Sequence, residues 1–187
     1  MRVVAGELRG RRLAAPPGRA TRPTADRVRE ALFSILGDVS GLRVLDLFAG
    51  SGALGIEALS RGASEAVFVD SSRRAVTAIE ANLEALAIDA PVHRRDALSF
   101  LGDAARGACY QLAFVDPPYD SASRLAAPLA ACLPSILTED ARIVTESDKR
   151  SPLLFPFPLL RERLYGDTRI AVHRISGPSR EHPVIHG

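Results

Sequence analysis

Cysteine is almost missing from this sequence: Cys109 and Cys132 are the only two in 187 residues. Two thiols exclude a disulfide framework and lack the second ligand pair of a structural metal site, so both read as small buried hydrophobes. The histidines at 93, 173, 182 and 186 show no ligand spacing, and no metal is expected. Long apolar runs are absent too, since nothing approaches the roughly 20 residues of a membrane span. The amino terminus has charge and glycine where a signal peptide needs an apolar stretch, so the expected location is the cytoplasm, away from any membrane. There is no internal repeat and no low-complexity tract. Lysine occurs once, as Lys149, so basic clusters here are informative by position rather than by residue type.

What is present suffices for one well-filled core. The chain is 47% hydrophobic, long enough for one domain with an appendage and short for two. Net charge is only +2, yet residues 1 to 30 hold eight arginines against Glu7, Asp26 and Glu30, a local +5 that leaves −3 elsewhere. A basic arm on a mildly acidic body suits phosphate-backbone binding, in which each contact releases counterions. A solvated, arginine-rich terminus would have the same composition.

Residues 2 to 14 read as a hairpin turned by Gly6 and Gly10, and a loop with Pro16, Pro17 and Gly18 follows. Apolar positions Val28, Ala31, Leu32, Ile35 and Leu36 recur at helical spacing over 24 to 36, with Thr24 as N-cap. Strands and helices then alternate: strand 43–48, helix 53–61, strand 65–70, helix 73–87, strand 91–95, helix 97–104, strand 111–115, helix 122–133 and strand 141–146. A closing pair covers 161–165 and 168–175. This is a βαβ series with a mostly parallel sheet. The expected organisation is a basic hairpin and loop over 1–23, an α/β domain over 24–178 and a frayed tail over 179–187.

Two motifs end strands. Gly50-Ser51-Gly52-Ala53-Leu54-Gly55 follows the apolar Val44-Leu45-Asp46-Leu47 and opens a helix, a literal dinucleotide fingerprint with Asp70 placed for a ribose hydroxyl. Asp46 argues for another cofactor. A carboxylate four residues before the first glycine repels a pyrophosphate but suits the ammonium and sulfonium charges of S-adenosylmethionine. Asp96 is placed to accept from an adenine amino group, or to cap the helix beginning at Ala97.

The second motif, Asp116-Pro117-Pro118-Tyr119, follows Leu112-Ala113-Phe114-Val115. Two prolines cannot extend a central strand, so the chain leaves the sheet there with its carbonyls outward. A carboxylate and a proline carbonyl provide acceptors for the two N–H bonds of an exocyclic nucleobase amine, and Tyr119 offers a stacking face. A rigid turn with Asp as helix cap would use the same residues. Both motifs lie at strand carboxyl ends, where open α/β sheets bind ligands.

The order Asp46-Leu47-Phe48-Ala49-Gly50-Ser51-Gly52, then Asp70, then Asp116-Pro117-Pro118-Tyr119 resembles the Rossmann-like, class I S-adenosylmethionine-dependent amino-methyltransferases. Outside that core, Arg2-Val3-Val4-Ala5-Gly6 with Gly10-Arg11-Arg12-Leu13, Thr21-Arg22-Pro23-Thr24 with Arg27-Val28-Arg29-Glu30, and Tyr165-Gly166-Asp167-Thr168 are similar to the bacterial RsmD family. These enzymes methylate a guanine N2 amine of 16S rRNA. The resemblance runs over residues 2 to about 175. It implies a mostly parallel seven-stranded sheet with an antiparallel final strand and an N-terminal β-hairpin appendage that helps to grip RNA. It also implies 16S rRNA, in the small subunit or its assembly intermediate, as partner. Asp46, Gly50, Gly52, Asp70 and Asp96, with the adjacent Phe48, Ala49, Ser71 and Ala97, would bind the cofactor. Asp116 to Tyr119 would bind the base, and Arg9, Arg11, Arg12 and Arg22 the RNA. A monomer is expected, because no helix has a spare apolar face. The rivals are a DNA adenine or cytosine amino-methyltransferase, a nonenzymatic nucleic-acid-binding module and, more distantly, a nicotinamide enzyme.

Overall fold

The structure is a computed structural model that describes residues 1–16, 25–103, 110–118 and 121–175. Elements follow one another as α1 (Ala25–Leu36), β1 (Arg43–Leu47), α2 (Ala53–Ser60), β2 (Glu65–Asp70), α3 (Arg73–Leu86), β3 (Val92–Arg94) and α4 (Ala97–Asp103). Next come β4 (Tyr110–Val115), α5 (Ala122–Cys132), a 3-10 turn (Leu133–Ser135), β5 (Leu137–Asp148), β6 (Leu159–Tyr165) and β7 (Thr168–Arg174). The expected elements are all present. The main difference is β5, which begins four residues earlier than the apolar run Ala141–Glu146 suggests. Its pairing with β4 is irregular between Tyr110 and Leu112, so the polar Glu139 and Asp140 lie exposed within the strand. Cys132 is half-buried against the core rather than fully inside. Cys109, Thr24 and the tail lie outside the described residues.

The sheet has seven strands in the order β3-β2-β1-β4-β5-β7-β6. Strands β1 to β5 run parallel, and β7 is antiparallel to both β5 and β6. Strand order reverses between β1 and β4, which opens a crevice at their carboxyl ends. Central strands are apolar on both faces because helices cover both: Val44, Phe68, Leu112 and Phe114 pack with α1, α2 and α3, while Leu45, Leu47, Val67, Ala113 and Val115 pack with α4 and α5. Among the described residues no helix is long and apolar enough to cross a membrane.

The amino-terminal segment is built into the first of these layers. Arg2 and Arg12 form an antiparallel bridge, and Val3 and Leu13 are buried in the core of the body. Its turn is seated on the last residue of α2: Glu7 N–H donates to the Ser60 carbonyl at 2.8 Å and Leu8 N–H to Ser60 Oγ at 3.0 Å. Gly6 has φ +80°, and a Cβ there would lie 1.7 Å from the Ser60 carbonyl oxygen. Gly6→Ala should therefore both strain the backbone and push the turn off α2, with an expected loss of at least about 2 kcal/mol. Urea denaturation measures this, and a loss below roughly 0.5 kcal/mol, the effect of an ordinary surface substitution, would contradict the docking.

Candidate functional site

Four neighbouring parallel strands each bring an aspartate to the carboxyl edge. Asp96 lies just past β3, Asp70 ends β2, Asp46 is the penultimate residue of β1, and Asp116 follows β4. Register makes the row continuous: Asp70 pairs with Arg94, while Leu47 pairs with Val69 on one side and Val115 on the other. The strand ends are thus level, and both sequence motifs face one crevice.

The glycine loop between β1 and α2 has three residues in the left-handed region, Phe48 (φ 59°), Gly50 (φ 61°) and Gly52 (φ 76°). Phe48 bears the cost that a bulky side chain meets there, and such strain concentrates at ligand-binding turns. The loop is held from three directions. Asp70 Oδ2 accepts Gly50 N–H at 2.9 Å, the Ala49 carbonyl accepts Gly52 N–H at 2.7 Å, and Asn82 Nδ2 of α3 donates to the Ser51 carbonyl at 2.9 Å. Asp70 Oδ1 also accepts Ser72 N–H at 2.8 Å, so one carboxylate ties the loop to the start of α3. Each of its oxygens keeps a second lone pair for a ribose hydroxyl. Ser71, between them, is exposed.

Asp46 is only 2% exposed and accepts the backbone N–H of Gly55 at 2.9 Å. Gly55 permits this approach: a Cβ there would lie 2.3 Å from the Phe68 ring and 3.2 Å from Asp46 Oδ2. The carboxyl therefore takes an N–H of the first turn of α2, while Gly50 spends its own on Asp70 and Gly52 on the Ala49 carbonyl. A pyrophosphate would find those donors occupied and would itself oppose ionisation of the carboxyl beside it. A cationic ligand meets the opposite situation.

Burial pushes the Asp46 carboxyl up to about 8; the Gly55 hydrogen bond opposes this and the Asp70 charge adds to it. The folded protein then binds a proton that the unfolded chain releases near 3.8, so the Asp46 contribution to stability is complete below that pH and is lost as pH rises through about 8. We expect Asp46→Asn, which keeps an acceptor for Gly55, to flatten the stability profile across this window and to be more stable than wild type above it. Parallel denaturation profiles for the two proteins would rule Asp46 out as the titrating group.

Asp96 caps α4, its Oδ1 accepting Ser99 N–H at 3.0 Å, and it is exposed; Ala97 is buried behind it. The capping alternative is thus realised, and any adenine-accepting role would have to be shared with it. On the far side of the crevice Asp116 is half-buried, Pro117 buried and Pro118 exposed. The Pro118 carbonyl accepts both Ser121 N–H (3.0 Å) and Ser121 Oγ–H (2.9 Å) in the turn into α5. No described residue donates to the Pro117 carbonyl. Tyr119 and Arg22 lie outside the described residues. Arg9, Arg11 and Arg12 are exposed, and the Arg11 guanidinium donates to the Ala85 carbonyl at 2.7 Å.

One buried cluster went unread in the sequence. Glu57, 0% exposed within α2, accepts Val4 N–H (2.8 Å), Ala5 N–H (2.9 Å), Arg61 Nε–H (2.8 Å) and, more weakly, Arg29 Nε–H (3.4 Å). Asn82 similarly clasps Ala14 through its N–H and carbonyl. The signal was a lone acid in the apolar helix ALGIEALS. These two side chains join the amino-terminal segment to the helices that carry the glycine loop.

Comparison with known proteins agrees with this architecture. Residues 1–174 match a family model described as "Conserved hypothetical protein 95". YlbH of Bacillus subtilis is 40% identical over 184 residues, covering 95% of this chain and all of that protein. Ribosomal RNA small subunit methyltransferase D of Escherichia coli is 45% identical over 121 residues, 64% of this chain and 60% of the relative. Its Haemophilus influenzae namesake is 34% identical over 172 residues, 89% of each. Among solved structures, yhhF from Escherichia coli superimposes with a TM-score of 0.82 at 35% identity, covering 95% of this chain and 99% of that one. Fold and relatives converge: the chain belongs to the RsmD family and is a methyltransferase.

Proposed function

We propose that the protein transfers a methyl group from S-adenosylmethionine to the exocyclic N2 amine of a guanine in 16S rRNA. It acts in the cytoplasm as a monomer on the small subunit or its assembly intermediate, with residues 1–23 as an RNA-contacting arm on the catalytic body. The reading rests above all on the order of acids along the sheet edge, Asp96, Asp70, Asp46, Asp116, which matches adenine, ribose, charged amino-acid portion and acceptor amine laid out across β3, β2, β1 and β4. The relatives named as ribosomal RNA small subunit methyltransferase D supply the RNA.

S-adenosylmethionine supplies an activated methyl on a sulfonium, so the protein's task is positioning more than acid or base strength. Phe48, Ala49, Gly50 and Gly52 would form the floor against which it lies, and Asp70 would hold the ribose hydroxyls beside Ser71. Asp96, with Ala97, would accept from the adenine amine. Asp46 would lose its proton to pair with the incoming cation, which makes cofactor affinity rise with pH up to about 8. At the acceptor, Asp116 and the Pro117 carbonyl take the two amine N–H bonds. They turn the nitrogen lone pair toward the methyl and stabilise the positive charge that grows on nitrogen. The Pro118 carbonyl is spent on Ser121, which leaves Pro117 as the second acceptor. Tyr119 would stack on the base.

The test is tritium transfer from labelled S-adenosylmethionine to unmodified small subunits, naked 16S rRNA and duplex DNA in parallel, followed by nucleoside digestion. Label in N2-methylguanosine supports the reading. Label confined to DNA bases, or bound cofactor without transfer, overturns it.

A further inference from the structure

Two of the helices that begin at the catalytic edge, α3 and α5, carry the wrong charge for helices. A first turn favours Asp or Glu, because the backbone N–H groups there present partial positive charge. Yet α3 starts with Arg73 and Arg74, α5 has Arg124 in its first turn, and neither has an acid there. Arg94, the last residue of β3, sits beside Asp70 in the sheet. All four arginines are exposed, and none forms an ion pair among the described residues. Their neighbour Arg95 differs, since it is paired with Asp103.

Position narrows what the four could serve. They flank the crevice, three on the β2–β3 side and Arg124 beside the turn that follows Asp116. The proposed cofactor is cationic at its sulfonium and has no phosphate, so it offers no anion at the Asp70 and Asp96 end. The hairpin turn, by contrast, is seated on Ser60 and Ala85, near the ends of α2 and α3 remote from that edge. Arg9 is therefore about the length of α2 away, roughly 12 Å at 1.5 Å per residue, and Arg11 most of the length of α3, roughly 18 Å.

We propose that Arg73, Arg74, Arg94 and Arg124 form a rim of phosphate contacts that holds the backbone of the substrate RNA on both sides of the crevice, separate from the amino-terminal arm. This rests on the RNA methylation reading above. The rim bears on RNA affinity and register, and the arm adds a second, distant grip.

The test compares the full-length protein with the fourfold variant R73Q/R74Q/R94Q/R124Q and with R9Q/R12Q, using unmodified 16S rRNA. For the rim variant we expect KM for RNA to rise roughly tenfold or more near 0.1 M salt. The slope of log affinity against log salt should flatten by about 3, since each neutralised phosphate accounts for roughly 0.7 to 0.9. Turnover at saturating RNA and affinity for S-adenosylmethionine should stay close to wild type. The thermal midpoint should not fall, because neutral first turns are no worse for α3 and α5. Wild-type KM and salt slope in this variant, with the parent enzyme active on rRNA, overturn the rim alone. An equal loss of cofactor affinity overturns it as well, by assigning the arginines to the cofactor. A parent protein that methylates no RNA, or binds duplex DNA more tightly, removes the functional reading and the rim with it.

Discussion

Asp116→Ala is expected to abolish methyl transfer while leaving affinity for S-adenosylmethionine nearly intact. Asp116 stands just past the end of β4, and the glycine loop, Asp46 and Asp70 belong to β1 and β2, so the residues proposed to bind the cofactor and those proposed to present the base lie on different strands. The Ala variant removes one of the two proposed acceptors that orient the amine and leaves only the Pro117 carbonyl dipole near the nitrogen to balance its growing positive charge. Removing one such preorganised electrostatic group costs about 10²- to 10³-fold in turnover, and disordered orientation adds to it. Asp116→Asn keeps an acceptor oxygen but not the charge, and should retain more activity than Ala. The decisive measurement is single-turnover methylation with cofactor and RNA both saturating, alongside calorimetric titration of the cofactor. Unchanged single-turnover rates would remove Asp116 from the chemistry. A parallel loss of cofactor affinity would instead make it part of the cofactor pocket.

Much of the site was legible because its chemistry sits where strands stop. Val44-Leu45 and Leu112 to Val115 are apolar on both faces, as central parallel strands must be, and each run is closed by residues that cannot continue it, glycines in one case and prolines in the other. Asp46, Asp70, Asp96 and Asp116 could therefore be placed at one edge before any register was known. What stayed hidden depends on contacts between distant segments. Asp46 reads as a ligand-facing acid, yet its carboxylate also holds the N-terminus of α2, and only the packing shows that it is nearly inaccessible. Asp96 serves as a cap, which the sequence allowed without deciding. The start of β5 was obscured by Glu139 and Asp140, because an irregular, solvent-facing strand end lacks apolar alternation. The basic amino-terminal segment reads as an appended hairpin, and only the packing shows Val3 and Leu13 buried in the core and Glu57, 52 to 53 residues away, receiving its amides.

That long-range clasp leads to the largest stability effect expected. Glu57→Ala would leave Val4 and Ala5 N–H without acceptors and remove a carboxylate from the nearly buried Arg29 and from Arg61. Each orphaned amide costs about 1–3 kcal/mol, and breaking a buried ion pair is similarly expensive. Arg29 retains Asp26 at 2.9 Å and the Arg2 carbonyl, which limits its share. A net loss of about 4 kcal/mol follows, enough to lower the thermal midpoint by roughly 8–16 °C in a chain of this size. Glu57→Gln, which can still accept one amide, should fall between Ala and wild type. The damage should also be directional. Hydrogen exchange at Val4 and Ala5 would accelerate before exchange in β1 or β4, and cofactor affinity would drop with it, because Asn82 braces both Ala14 and the Ser51 carbonyl of the glycine loop. Were Glu57→Ala to cost less than about 1 kcal/mol, an average single substitution, the amino-terminal segment could not be an integral layer of the fold. A large loss of stability with unaltered cofactor affinity would keep the clasp but separate it from the glycine loop.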